Sequence, residues 1–255
     1  MPAESLHHVL GIFAHPDDET IMLGGTLAML HARHVQTHLT LATRGEGGEL
    51  GEPPVVPDRA LLGAVREQEL RCATARLGVT SLHLLGYIDP EVGLENTLRP
   101  FDADFEELVT RISTIIGEVR ADVVLAHGPD GEYGHPAHQL IYRAVRAAVE
   151  SHAPHVPFYS VAANVPGIED HLWNTSRTAH LALDISPWAA AKIAAMECHR
   201  TQHALFKRRR KLAHVRDALR RTESFYREWP ATNGRPPDDA FAALLRDCGA
   251  YRPAP

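Results

Sequence analysis

Two short runs of this chain collect residue types that bind metals and move protons. Ala14-His15-Pro16-Asp17-Asp18-Glu19 places a histidine three residues before an aspartate, and Tyr133-Gly134-His135-Pro136-Ala137-His138 contains a His-x-x-His pair. Two imidazoles and one carboxylate leave an open position for water, the pattern of catalytic rather than structural zinc. Such a metal lowers the pKa of water toward 7 and polarises a carbonyl. A second carboxylate beside the ligand, here Asp17 next to Asp18, can take the proton from that water.

Spacing alone is weak evidence. The chain has 17 histidines, so chance supplies about one His-x-x-His and about one His-x-x-Asp. Each pattern occurs three times: His31/His34, His135/His138 and His152/His155 for the first, His15/Asp18, His127/Asp130 and His214/Asp217 for the second. Position separates them. His31/His34 ends a predicted helix, His152/His155 lies in a Pro-containing segment after one, and His214/Asp217 falls within a strongly basic helix, so all three read as surface pairs. Of the other three, His15/Asp18 follows the first apolar strand, and His127/Asp130 with His135/His138 follows the fourth.

The elements that must position them read as follows. Residues 9–14 form a continuous apolar run, the pattern of a strand covered on both faces. Pro16 with Asp17, Asp18 and Glu19 opens a helix, since proline suits the first turn and acids suit the positive end of the dipole. Strands are predicted at 38–43, 81–86, 121–126 and 180–185, and helices at about 58–77, stopped by Gly78, at 101–119, 137–151 and 187–222. Residues 44–57, rich in Gly and Pro, read as a loop long enough to be functional, with 45–51 within it a mobile loop bordering the pocket. Alternating strand and helix imply right-handed βαβ units. The expected fold is α/β, a Rossmann-like mostly parallel sheet with helices on both faces and a metal site at the strand carboxyl ends.

Composition bounds the rest. With 255 residues, 44 % hydrophobic and 23 % charged, the chain reads as one domain, with a core at about 8–226 and a C-terminal tail at about 227–255. No apolar run approaches the ~20 residues of a membrane span, and the first eight residues lack signal-peptide character. A net charge of −6 gives no general pull toward nucleic acid. Cys72, Cys198 and Cys248 are widely spaced and odd in number, which argues against a disulfide framework and for a reducing cytoplasm.

The two histidine runs resemble the two signatures of the LmbE-like, or PIG-L, zinc deacetylases, which remove an N-acetyl group from N-acetylglucosaminyl conjugates. The resemblance extends through Arg66-Glu67-Gln68-Glu69, Leu85-Gly86-Tyr87-Ile88-Asp89 and His199-Arg200-Thr201-Gln202, covering about residues 8–202. It implies that His15, Asp18 and His138 ligate the metal, zinc or alternatively iron(II), and that Asp17 is the general base. It assigns His135 to charge stabilisation or protonation of the departing amine, and Tyr133 to the oxyanion. Arg66 and Asp89 match sugar-binding positions, with His199 and Gln202 as further site candidates. The implied partner is a small amino-sugar conjugate, with a homo-oligomer also allowed. Where the family usually carries an aspartate between the two histidines of the second signature, this chain has Ala137, which removes a carboxylate that could support His135 as a cation.

Three alternatives stand beside these readings. Arg66 falls in the apolar stripe of Leu62, Leu70, Ala73 and Leu77, so a buried pair with Glu69 competes with contact to substrate. Two histidines and a carboxylate also make the non-haem iron triad, and a non-catalytic sugar- or metal-binding module is a third possibility, opposed by the presence of Asp17. Gly45-Glu46-Gly47-Gly48-Glu49-Leu50-Gly51 fails the phosphate-loop pattern, and the basic run from Lys207 to Arg221 reads as a solvated helix face, with a subunit or anionic-partner surface as the alternative.

Overall fold

The computed structural model describes residues 5–169 and 172–253. Its strands are β1 (His8–Phe13), β2 (Gln36–Thr43), β3 (Ser81–Tyr87), β4 (Val123–Ala126), β5 (Phe158–Val161), β6 (Ala163–Asn164), β7 (Asn174–Thr178), β8 (Leu181–Asp184) and β9 (Thr222–Trp229). Its helices are α1 (Asp18–Ala32), α2 (Leu62–Leu77), α3 (Phe105–Glu118), α4 (Gly131–Gly134, one distorted turn), α5 (Pro136–His152), α6 (Ala189–Met196), α7 (His203–Arg210) and α8 (Ala240–Asp247).

Seven strands form one sheet in the order β3-β2-β1-β4-β5-β9-β8. The first five run parallel, and β9 is antiparallel to both of its neighbours. Each buried strand divides its side chains between two cores. Val9 and Phe13 of β1 join Leu39, Leu125 and residues of α1, α2 and α8 on one face, while Leu10 and Ile12 join Val124 and residues of α3 and α5 on the other. The expected mostly parallel α/β fold is what forms. Its chain order reverses between β1 and β4, and the crevice beyond the carboxyl ends of those two strands is where parallel sheets place ligands. Helix ends follow local chemistry: Gly78 closes α2 in the left-handed conformation and Asp104 caps α3 through the Glu107 N–H.

The C-terminal third departs from the sequence reading. The predicted helix over 187–222 is instead α6, a 3₁₀ turn at Arg200–Gln202, α7, another 3₁₀ turn at Val215–Ala218 and the start of β9. The segment read as a tail begins inside β9, and α8 packs Phe241 and Leu245 into the core, with Phe241 edge-on to Tyr159. Buried polar residues hid the strand: Glu223 of β9 accepts from the backbone N–H groups of Gly25 and Thr26 and from Lys192 Nζ at 2.6 Å. An acid in a covered strand mimics the polar face of a helix.

The cysteine reading is also corrected. Cys72 of α2 and Cys198, just past α6, form a disulfide with Cα atoms 5.8 Å apart, leaving Cys248 free. They are 126 residues apart in sequence, and only the side-by-side packing of α2 and α6 brings them together. The cysteine-based reason for a reducing compartment therefore falls. Among the described residues, no helix is long and apolar enough to cross a membrane.

Candidate metal centre

The β1 strand ends directly at Ala14-His15, and α1 starts at Asp18, so the first signature spans a strand end and a helix start. The Asp18 carboxylate accepts from the His15 N–H at 2.9 Å and lies 3.4 Å from His15 Nδ1. From the β4 side, α5 delivers His138, whose Nε2 is 3.3 Å from the other Asp18 oxygen. His15, Asp18 and His138 thus converge, all buried. Two overlapping groups have ligand atoms close enough to share one ion: His15, His135 and His138, and Asp18, His127 and His138.

Hydrogen bonds sort these candidates. His127 Nε2 accepts from the Ala14 N–H at 3.1 Å and its Nδ1 faces Glu132 at 2.9 Å, so both ring nitrogens are engaged. His135 Nδ1 accepts from the Ala137 N–H at 3.2 Å, capping α5. By contrast, the Nε2 atoms of His15 and His138 are buried without a well-formed hydrogen bond. Two orphaned imidazole nitrogens beside a carboxylate are a poor arrangement for empty space and a good one for a divalent cation. The residues fit a metal.

Asp17 sits at φ 102°, outside the usual range of L residues. Its N–H donates to Glu19 Oε2 at 3.0 Å, and its carboxylate receives Arg66 Nη2 at 3.3 Å. Burial pushes its carboxyl up to about 7, with the Arg66 guanidinium opposing and Asp18 adding to the rise. A group with that affinity is suited to taking a proton near neutrality. Arg66 also donates Nη1 to Gly45 O at 2.9 Å and Nη2 to Pro16 O. Gly45 is at φ +71°, and a Cβ there would lie 2.1 Å from Arg66 Nη1. The competing Arg66–Glu69 pair does not form: Glu69 instead accepts from Thr201 N at 2.9 Å and Thr201 Oγ1 at 2.7 Å.

A cavity of about 650 Å³ opens beside these groups, lined among others by His15, Asp17, Asp18, Arg66, Asp89, Tyr133, His135 and Gln202. Asp89 reaches His15 Nε2 at 3.2 Å, closer to the metal position than a purely sugar-binding role implies. Tyr133 is partly exposed and packs edge-on to His135 and His138. His199 is fully buried, contacting Thr20 Oγ1 at 3.1 Å and Glu19 Oε1 at 3.2 Å, and lies behind the pocket wall rather than on it.

Three further expectations change. His135 is not arranged as a cation: its Nδ1 is an acceptor, and burial, with His138 and His15 beside it, pushes the ring down to about 2. It stands as a neutral imidazole with its proton on Nε2. The loop at 45–51, read as mobile, is tied with the residue after it from three sides: Arg59 Nη1 donates to Gly48 O at 2.9 Å, Arg208 pairs with Glu49 and Glu52, and Gln202 Nε2 donates to Glu49 O. Arg208 therefore belongs to the pocket rim, and Arg220 is buried against Trp173, so the basic run is not one solvated face. The side chains of Arg209 and Arg210 lie outside the described ones.

Sequence reasoning placed His127 in the second set without a role of its own, and gave no site role to Glu19, Asn174 and above all Glu132. Glu132 is 2 % exposed and accepts four hydrogen bonds: from Gly128 N and Asn174 Nδ2 on one oxygen, and from His127 Nδ1 and His138 Nδ1 on the other. The available signal was its place between His127 and His138 on the turn after β4.

The GlcNAc-PI de-N-acetylase (PIG-L) family model matches residues 10–149. The 1D-myo-inositol 2-acetamido-2-deoxy-alpha-D-glucopyranoside deacetylase of Mycobacterium sp. (strain KMS) is 35 % identical over 233 residues, covering 78 % of this chain and 75 % of that protein. The enzyme of that name from Streptomyces scabiei is 33 % identical over 252 residues, covering 77 % and 76 %. Among solved structures, the N,N'-diacetylchitobiose deacetylase of Pyrococcus horikoshii superposes with TM-score 0.61 at 19 % identity, covering 89 % of this chain and 88 % of that one. The 4-carboxy-2-hydroxymuconate hydratase of Pseudomonas putida superposes with TM-score 0.60 at 20 % identity, covering 89 % and 98 %; at that identity the likeness is one of fold, which serves hydration as well as deacetylation. With the family model spanning over half of its length and relatives above 30 % identity along most of it, this chain belongs to the PIG-L (LmbE-like) family.

Proposed function

We propose that this protein is a metal-dependent amidohydrolase that removes the N-acetyl group of an N-acetylglucosaminyl conjugate. The observation that carries this reading is Asp17, a part-buried carboxylate with raised proton affinity, lining one cavity with His15 and Asp18, and beside them His138; the buried Nε2 atoms of His15 and His138 make no well-formed hydrogen bond. Those three residues would hold the ion; zinc is the first assignment for two imidazoles and a carboxylate, and iron(II) suits the same donors. A divalent ion bound there supplies Lewis-acid polarisation and an acidified water.

The chain's own residues do the rest. Asp17 takes the proton of the attacking water. Arg66, through its contact with Asp17 and with Gly45 O, fixes the carboxylate's direction. His135, neutral with its Nε2–H free of the Ala137 contact, donates a hydrogen bond to the oxygen on which charge develops, and Tyr133 borders the same space. Asp17, once protonated, can pass that proton to the departing amine. Asp89 and Gln202 line the cavity for the sugar, and its volume admits a hexosamine with a further group attached.

The mostly parallel sheet, in place of an antiparallel barrel, argues against the iron-oxygenase reading. The test is acetate release from the N-acetylglucosaminyl-inositol conjugate and from methyl N-acetylglucosaminide, with and without a chelator. Chelator-sensitive acetate release is expected. Metal uptake without acetate release from either compound would leave the binding-module reading in its place.

A further inference from the structure

The second signature lacks its usual aspartate at position 137, yet a buried carboxylate still sits among the histidines. It comes from Glu132, held at φ 59°, ψ −43°, a conformation that costs an ordinary residue on the order of 1–3 kcal/mol and persists only where the surroundings enforce it. Asn174, at the start of β7, enforces it here. Its Oδ1 accepts from the Glu132 N–H at 3.3 Å and the Asp130 N–H at 3.2 Å, while its Nδ2 donates to Glu132 Oε1 at 3.1 Å and Val161 O at 2.7 Å. Gly128 makes room: a Cβ there would lie 2.1 Å from Asn174 Cγ.

Donor and acceptor counting then fixes the protons. Glu132 Oε1 is filled by the Gly128 N–H at 3.0 Å and by Asn174 Nδ2. Its Oε2 meets His127 Nδ1 at 2.9 Å and His138 Nδ1 at 2.6 Å. Four donors on two oxygens require an ionised carboxylate. His127 Nε2 already accepts from the Ala14 N–H, so the proton of His127 is on Nδ1. His138 donates from Nδ1 in the same way, which leaves its buried Nε2 as a bare lone pair facing Asp18.

We propose that Glu132 is the positioning residue that makes His138 a metal ligand, through a carboxylate shared between the Nδ1–H groups of His138 and His127, while the Ala14 N–H on His127 Nε2 keeps His127 from that role. This rests on the reading that His138 holds an ion. A carboxylate behind a ligating imidazole fixes its tautomer and raises its basicity, and removing such a partner typically weakens metal binding about 10–100-fold. The carboxylate absent at position 137 thus has a counterpart in this chain, and it serves His138 rather than His135.

Glu132→Gln tests this with little change of shape. With its amide oxygen kept toward Gly128 and Asn174, its NH₂ confronts His138 Nδ1, so the imidazole must give up its Nδ1 proton and carry one on Nε2. Two measurements are made: zinc affinity of the folded protein by competition with a chromophoric chelator, and ring-nitrogen NMR of His138 in metal-free protein. The expected result is Nδ1-protonated His138 in the wild type, Nε2-protonated His138 in the variant, and zinc binding weakened about 10–100-fold. Zinc affinity unchanged within twofold, or wild-type His138 protonated on Nε2, overturns the proposal while the deacetylase reading stands. A wild type that takes up no zinc overturns both. Should the variant fail to fold, the wild-type spectrum still decides.

Discussion

The same sheet carries a histidine cluster at each end. At the amino ends of β1, β2 and β3, the His8 and His38 rings stack with nitrogens 3.2 Å apart, His38 Nδ1 meets Ser81 Oγ at 2.8 Å, and Ser81 Oγ meets His83 Nε2 at 3.1 Å. At the carboxyl ends of β1 and β4, His15, His127, His135 and His138 crowd together with Asp18, Glu132 and Asp89. In the first cluster the imidazoles satisfy one another and a serine. In the second, carboxylates fix the tautomers, and two Nε2 atoms are left buried without a hydrogen bond. Histidine density is therefore not what makes a metal centre; carboxylates that dictate which nitrogen carries the proton are. The difference follows from topology, since loops and helix starts that can bring acids to the histidines leave the carboxyl ends of parallel strands.

The largest effect expected from this contrast is on metal content. His138→Ala and Asp18→Ala should each lose stoichiometric metal and reduce acetate release to background, because three ligands leave no redundancy. His38→Ala should keep both. Elemental analysis after gel filtration checks the set, and full metal in His138→Ala would remove that residue from the site.

Next in size is the base. Asp17→Asn should retain metal and lose about 10²–10⁴-fold in kcat. Single-turnover acetate release with metal content matched to the wild type measures it; wild-type turnover would mean that another group takes the proton.

A smaller effect separates positioning from sugar contact at Arg66. The guanidinium favours the charged form of Asp17, so Arg66→Ala should raise the pKa of that carboxyl. Activity that needs the carboxylate is then lost at higher pH, and the acidic limb of kcat/KM should move upward by about one pH unit or more. Matched pH–rate profiles decide the role. A raised KM with an unmoved limb would make Arg66 a substrate contact instead.

The smallest effect belongs to the amino-end cluster. Burial lowers the His38 pKa below its ordinary value, and His8 and His83 lower it further. The unfolded chain therefore binds more protons as pH falls past about 6.5, so His38's contribution to stability is present above that pH and fades below it. Urea midpoints at pH 7.5 and 5.5 should fall more steeply for the wild type than for His38→Gln, with zinc affinity the same in both. Equal slopes would show that the cluster does not titrate on unfolding.

By itself the sequence determined the alternation of strand and helix, the parallel order it implies, the Gly78 stop of α2, and the convergence of two ligand-bearing runs on two strand ends. These are local properties: periodicity reports which face of an element is covered, and a motif directly after an apolar strand has its place set by the chain's direction. Only the tertiary structure decided what meets across long separations. Glu69 finds Thr201 rather than Arg66, Arg66 turns to Asp17, Cys72 meets Cys198, and Glu223 makes a polar segment into a buried strand. Glu132 is the sharpest instance. Its sequence neighbourhood is that of a turn acid, yet Asn174, which comes 42 residues later, folds it inward and fixes the ring proton of His138. A buried polar side chain takes whichever complementary partner the packed elements bring within about 3 Å, and that partner is set by the arrangement of the whole sheet rather than by the residues on either side.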